Sequence, residues 1–179
     1  MKAILTWHSI DDSGSVISTK RDDLARQLDS LARAKVEVVR LLEIPRLDDE
    51  LNAVALTFDD GYSSFAEAVV PLLVERSLPA TAFVCPGFVG RSNQWDARSA
   101  TIPQLALMSW NEVATLPPSL VDIGAHGYNH VSLRRQDRQT LNREITSCVG
   151  EISEFTSRAP LSFALNARPN TRPGRGSPN

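Results

Sequence analysis

The run Ala53-Val54-Ala55-Leu56-Thr57-Phe58 is almost wholly apolar and stops abruptly at Asp59-Asp60-Gly61. A strand with one wet face alternates apolar and polar residues. A strand without alternation is buried on both faces, which calls for a parallel sheet covered by helices. The rest of the chain fits that frame. Residues 3–7 read as a short strand ending at His8, residues 36–41 as a β-branched strand, and residues 81–84 and 121–125 as two more. A further strand begins at 161–164. Between them lie helical patterns. One runs from a Ser18 or Thr19 cap to about Lys35, with Leu24, Leu28 and Leu31 inward. A second runs from Ser64 to Arg76, with Phe65, Val69, Leu72 and Leu73 inward and Pro71 a potential kink. Ser109 caps a third through Leu116, with Glu112 at the capping-box position. Asp137 caps a long fourth helix to about Phe155, carrying Leu141, Ile145, Cys148, Val149, Ile152 and Phe155. The alternation predicts parallel βαβ units. Residues 86–108 form a long irregular stretch, of the kind that often carries function.

The 179 residues predict one domain over 1–164 and a Pro/Arg/Gly-rich tail over 165–179. Prolines at 169, 173 and 178 exclude regular structure in the tail, which reads as disordered by composition. The net charge of −2 argues against a nucleic-acid binder. With 42% hydrophobic and 22% charged residues, bulk disorder is excluded. No apolar run reaches the ~18 residues of a membrane span. The N-terminus turns polar too soon for a signal peptide, so a cytoplasmic location is expected. Cys85 and Cys148 form no C-x-x-C pair and read as buried free thiols.

Chemistry concentrates in two segments. Asp59-Asp60-Gly61-Tyr62 follows the buried strand, and His126-Gly127-Tyr128-Asn129-His130 follows another. In parallel α/β folds the carboxyl ends of the strands share one rim, where sites form. Taken singly, Asp-Asp-Gly is an ordinary turn and the histidine pair a solvated one. Together they offer two imidazoles and a carboxylate, a set that binds a metal with open positions for water and substrate. A metal lowers the pKa of a coordinated water toward ~7. A second carboxylate can then take its proton. Neighbouring residues at a strand end point in different directions, so Asp59 and Asp60 can divide these roles.

The motifs Thr57-Phe58-Asp59-Asp60-Gly61 and His126-x-x-x-His130 resemble the first and second motifs of the polysaccharide deacetylase family, carbohydrate esterase family 4. The opening Leu5-Thr6-Trp7-His8-Ser9-Ile10 and the segment Pro79-Ala80-Thr81-Ala82-Phe83-Val84 resemble it too, and the similarity spans about residues 3–164. The resemblance implies an α/β fold: an incomplete, distorted (β/α) barrel of about six parallel strands, since a complete barrel takes ~250 residues. It implies Asp59 as general base and Asp60, His126 and His130 as ligands of a divalent metal, Zn2+ before Co2+ or Ni2+. The implied reaction is hydrolysis of acetyl groups from an N- or O-acetylated sugar or oligosaccharide. His8, Tyr62 and Trp95 are the candidates for contact with that substrate. Trp95 and Trp110 offer aromatic faces for a sugar or for packing at the rim.

Two departures stand out. Many relatives have Ser or Thr where this chain has Gly127. The family's third motif, a Pro-Tyr or Pro-Phe-Gly element supplying an oxyanion N–H, has no counterpart. Phe163-Ala164 fits its approach, and Leu165-Asn166-Ala167-Arg168 does not. No histidine follows His130, so the family's later acid is expected to be absent. The alternative reading is therefore a catalytically impaired fragment or a binding module of the same fold. An open barrel edge would expose an unpaired strand, so self-association is expected there.

Overall fold

A computed structural model describes residues 1–96 and 101–166. The expected tail from residue 167 onward lies outside the described residues, Arg168 included. The main sheet holds β1 (Lys2–Trp7), β4 (Glu37–Val38), β5 (Ala53–Phe58), β6 (Ala80–Val84) and β7 (Val121–Ala125) in the order β1-β5-β6-β7, with β4 on β5. Every pairing is parallel. β2 (Ser9–Ile10) and β3 (Ser18–Thr19) make a separate parallel pair. All six residues of β5 and all five of β6 are buried, as an apolar run without alternation requires. The fold class is thus the expected α/β with a parallel sheet.

Two strand expectations and one helix-cap expectation are corrected. The stretch 36–41 is strand only at Glu37–Val38, because Arg40 turns away. The Arg40 guanidinium bonds to Asp122 and to the Ser119 carbonyl, both at 2.6 Å, and its backbone N–H donates to Glu43 at 3.0 Å. A 3-10 turn, Leu41–Arg46, follows. The strand expected at 161–164 is reduced to one parallel bridge, Ala125 to Phe163. Ser18 and Thr19 do not cap the first helix. They pair with Ser9 and Ile10, and α1 (Arg21–Arg33) starts after Lys20.

The helices bury the expected faces, with two shifts of phase. Leu24 and Leu28 of α1 are buried. Phe65, Val69, Leu72 and Leu73 are buried too, but a π turn at Phe65–Val69 precedes α2 (Val70–Arg76). Pro71 has no N–H and its ring crowds the carbonyl four residues back, so the chain widens there and restarts with the proline in the first turn. α3 (Trp110–Thr115) begins on the expected box: Ser109 Oγ accepts from the Glu112 N–H, and Glu112 accepts from the Ser109 N–H and Oγ–H, both at 2.7 Å. Asp137 caps α4 (Arg138–Asn142) by accepting from the Thr140 N–H at 2.7 Å. A second π turn, Arg143–Ser147, then leads into α5 (Cys148–Thr156). It moves Ile145 to 40% exposure and puts Glu144 inside at 1%. Phe155 is also half exposed rather than inward and stacks on Trp110 at 4.6 Å.

Both cysteines are free and buried, as expected. Burial pushes the Cys148 thiol up to about 12 and raises that of Cys85 well above its ordinary value, so neither is a nucleophile.

The capping box is open to test. Ser109→Ala should cost about 1 kcal/mol in a denaturant titration. The bonds from the Ser109 N–H and hydroxyl lower the Glu112 pKa. Its contribution should therefore be present above the ordinary glutamate pKa and disappear as pH falls through the lowered value. Equal stability of the variant across that range would show the box to be idle.

Candidate active site

β5 and β7 run parallel with β6 between them, so both end at the same rim. The ladders extend one residue further: the Asp59 N–H donates to the Trp7 carbonyl at 2.9 Å and the His126 N–H to the Val84 carbonyl at 3.0 Å. The sheet itself thereby places Asp59 and His126. The backbone then turns sharply. Asp60 has φ 74° and Gly61 has φ 78°, both left-handed. A Cβ on Gly61 would meet Val84 Cγ1 at 3.2 Å, so the turn lies close against β6. His130 also has a positive φ, 54°. Of the six non-glycine residues with positive φ among the described residues, two are expected metal ligands, Asp60 and His130.

Their side chains converge. Asp60 Oδ1 lies 3.3 Å from His126 Nε2 and 3.0 Å from His130 Nε2. His126 Nδ1 lies 3.0 Å from the Ala164 carbonyl, which can only accept, so Nδ1 carries a hydrogen and Nε2 presents a lone pair in the neutral ring. Asp60 Oδ1 is buried without a conventional donor of its own. Lone pairs that converge in this way require a proton or a cation among them. The donor set suits a metal: two ligand atoms ~2.1 Å from a tetrahedral ion sit roughly 3.4 Å apart. Asp60, His126 and His130 together are the three-residue group whose ligand atoms all lie within 4.8 Å of one another.

The two aspartates differ in their electrostatics. For Asp60, burial disfavours charge, but the attraction of the two imidazoles beside it outweighs that and holds the carboxyl well below the usual range. For Asp59, burial dominates over the attraction of His126 and His8, and its pKa is raised. His126 is also raised: burial opposes its charge, and Asp60 and Asp59 overcome that. Asp59 stands back from the triad, its Oδ2 4.0 Å from His126 Nε2. Adjacent residues thus hold one carboxylate kept ionised beside two imidazoles and one made a better proton acceptor.

A cavity of about 340 Å³ opens over these groups, lined by His8, Asp59, Asp60, His126, His130, Trp95 and Asn166 among others. All three histidines of the chain face it. Trp95 is a wall residue whose ring packs on His130 at 4.4 Å and edge-on against Phe88 at 4.7 Å. Tyr62 is not on the wall. It is 1% exposed and its backbone bridges to Leu107. Trp110 stacks on Phe155 and also does not line the cavity.

The structure adds residues that the motifs do not flag. The Ala164 carbonyl orients His126, and Asn166 Nδ2 donates to the His126 carbonyl at 3.0 Å. Glu144 accepts from Asn129. No local signal marks Glu144, because the π turn rather than the 3.6-residue period turns it inward. Nothing local marks Ala164, because its role is a backbone carbonyl.

The fold is similar to several solved structures. IcaB from Ammonifex degensii superposes with a TM-score of 0.77 at 23% identity, over 90% of this chain and 72% of that one. The Streptococcus pyogenes deacetylase PplD, solved in complex with acetate, gives 0.73 at 19%, over 92% and 73%. A de-N-acetylase from Aggregatibacter actinomycetemcomitans gives 0.67 at 18%, over 89% and 76%. No curated protein matches the sequence. The sequence profile of the family described as polysaccharide deacetylase matches residues 47–168, more than half of the chain and both acidic and histidine motifs. The chain therefore belongs to the polysaccharide deacetylase family, whose members are hydrolases of non-peptide carbon–nitrogen bonds.

Proposed function

We propose that the chain is a metal-dependent deacetylase of N-acetylated sugars, with Asp60, His126 and His130 as metal ligands and Asp59 as general base. The observation that carries this reading is the approach of Asp60 Oδ1 to two ring nitrogens at 3.0 and 3.3 Å. A divalent cation such as zinc would supply Lewis acidity to the attacking water and to the acetyl carbonyl. Asp59 takes a proton from that water, a role suited by its raised pKa. The carbonyl carbon–nitrogen bond breaks, and the leaving nitrogen needs a proton. No histidine follows His130 in the sequence to supply it. His8 lines the same cavity and acts electrostatically on Asp59, and it is the one histidine outside the ligand set. We assign it that donation. Acetate and a free amine leave.

Three measurements separate these roles. Alanine at Asp60, His126 or His130 should abolish stoichiometric zinc uptake in a titration of the metal-free protein. Undiminished uptake in all three variants would overturn the ligand assignment. Asp59→Asn should keep zinc and lower acetate release from an N-acetylglucosamine oligomer by ~10²–10⁴-fold. His8→Ala should lower the same reaction by ~10²-fold, yet spare 4-nitrophenyl acetate, whose leaving group needs no proton. Equal losses on both substrates would remove His8 from the acid role.

We also propose that a second copy of the chain pairs on the open edge of β1. Among the described residues β1 pairs with β5 alone, and Ile4 is 53% exposed. The groove beside it carries Lys20 and Arg26 together with Asp11 and Asp23, a mixed patch that a twofold-related copy can complement. Sedimentation should show a dimer that Ile4→Lys converts to monomer. A monomer at all concentrations would dismiss the pairing.

A further inference from the structure

We propose that Glu144 is a positioning residue that braces the loop from His126 to His130 in the shape that presents both imidazoles. The proposal rests on the reading of these histidines as cation ligands. Glu144 lies in the π turn Arg143–Ser147 and is 1% exposed, on a helix face otherwise filled by Cys148 and Ile152. No Lys, Arg or His pairs with it among the described residues. An acid buried without a counter-charge is costly unless its oxygens are well bonded. Among the described residues its donors belong to Asn129. The Asn129 N–H reaches Oε1 at 3.1 Å and Oε2 at 3.0 Å, and Nδ2 reaches Oε1 at 2.9 Å.

Asn129 immediately precedes His130, whose φ of 54° must be enforced from outside. Clamping the backbone and side chain of residue 129 together does so. The approach depends on the other end of the loop. A Cβ on Gly127 would stand 3.0 Å from Glu144 Oε2 and 3.3 Å from Asn166 Nδ2, and φ there is +80°. Glycine at 127 therefore lets the carboxylate come up beneath the loop, while Asn166 holds the His126 carbonyl from the other side. The π turn makes the clamp possible, because it exposes Ile145 and turns its neighbour inward.

The test uses the full chain with Glu144→Gln, Asn129→Ala and the double variant. Glutamine keeps the shape but sets an NH2 group against the Asn129 donors. Zinc affinity is read by competition with a chelating indicator, Co2+ coordination by its visible absorption, and loop order by amide hydrogen exchange without metal. Glu144→Gln should weaken zinc by about 10-fold or more, alter the Co2+ bands, and speed exchange at Asn129 in a protein whose near-ultraviolet dichroism is unchanged. The double variant should lose no more than Glu144→Gln alone, because both changes break one interaction. Native affinity, Co2+ bands and exchange in Glu144→Gln would overturn the proposal. If that variant does not fold, Asn129→Ala decides by the same readouts, since it removes one bond and keeps the buried carboxylate. If the unaltered protein takes up no zinc, the ligand reading fails by itself. Exchange at Asn129 then judges the brace: faster in Glu144→Gln sustains it, and unchanged overturns it.

Discussion

Burial of β5 on both faces is the constraint on which the rest of the molecule depends. Its backbone polar groups are shielded from water and must be bonded to neighbouring strands, and its side chains must be covered by helices above and below. β1 lies along its full length on one side, while β4 and β6 divide the other. The parallel direction forces each connection to cross back over the sheet, and the crossovers supply the covering helices. The polar residues that end β5 and β7 consequently meet at one rim, although 66 positions separate Asp60 from His126.

At that rim, a rigid frame holds groups that would separate if free. Asp60 and His130 occupy strained backbone, and His126 is fixed at both ends by Val84 and Ala164. Asp60 Oδ1 and the two imidazole Nε2 atoms are crowded to 3.0 and 3.3 Å, an arrangement held by costly backbone at Asp60 and His130. Burial raises the pKa of Asp59, whereas the imidazoles beside Asp60 hold its carboxyl low, so two chemically identical side chains differ in their hold on a proton.

Much of this was legible from residue types. An apolar run ending in Asp-Asp-Gly gave the buried strand and its acidic end, because burial and periodicity are local properties. The capping box at Ser109 and Glu112 and the Asp137 cap were legible for the same reason. Phase was not. A π turn adds a residue to the helical turn, and so Ile145 and Glu144 exchanged faces against the 3.6-residue expectation. Ser18 and Thr19 have good capping chemistry, yet pairing with β2 took them. Tyr62 follows the acidic motif directly, but the left-handed turn at Asp60 and Gly61 directs it into the core.

The sequence by itself determined the fold class, the buried central strand and the identity of the four groups at its rim, since each depends on composition and spacing over a few residues. Only the tertiary structure decided how those groups are supported: the Ala164 carbonyl on His126, Glu144 bonded to Asn129, and His8 on the wall of the same cavity. These are contacts between segments far apart in the chain, made by backbone atoms or by ordinary side chains. Their meaning comes from distance and burial, which exist only once the sheet has brought the segments together.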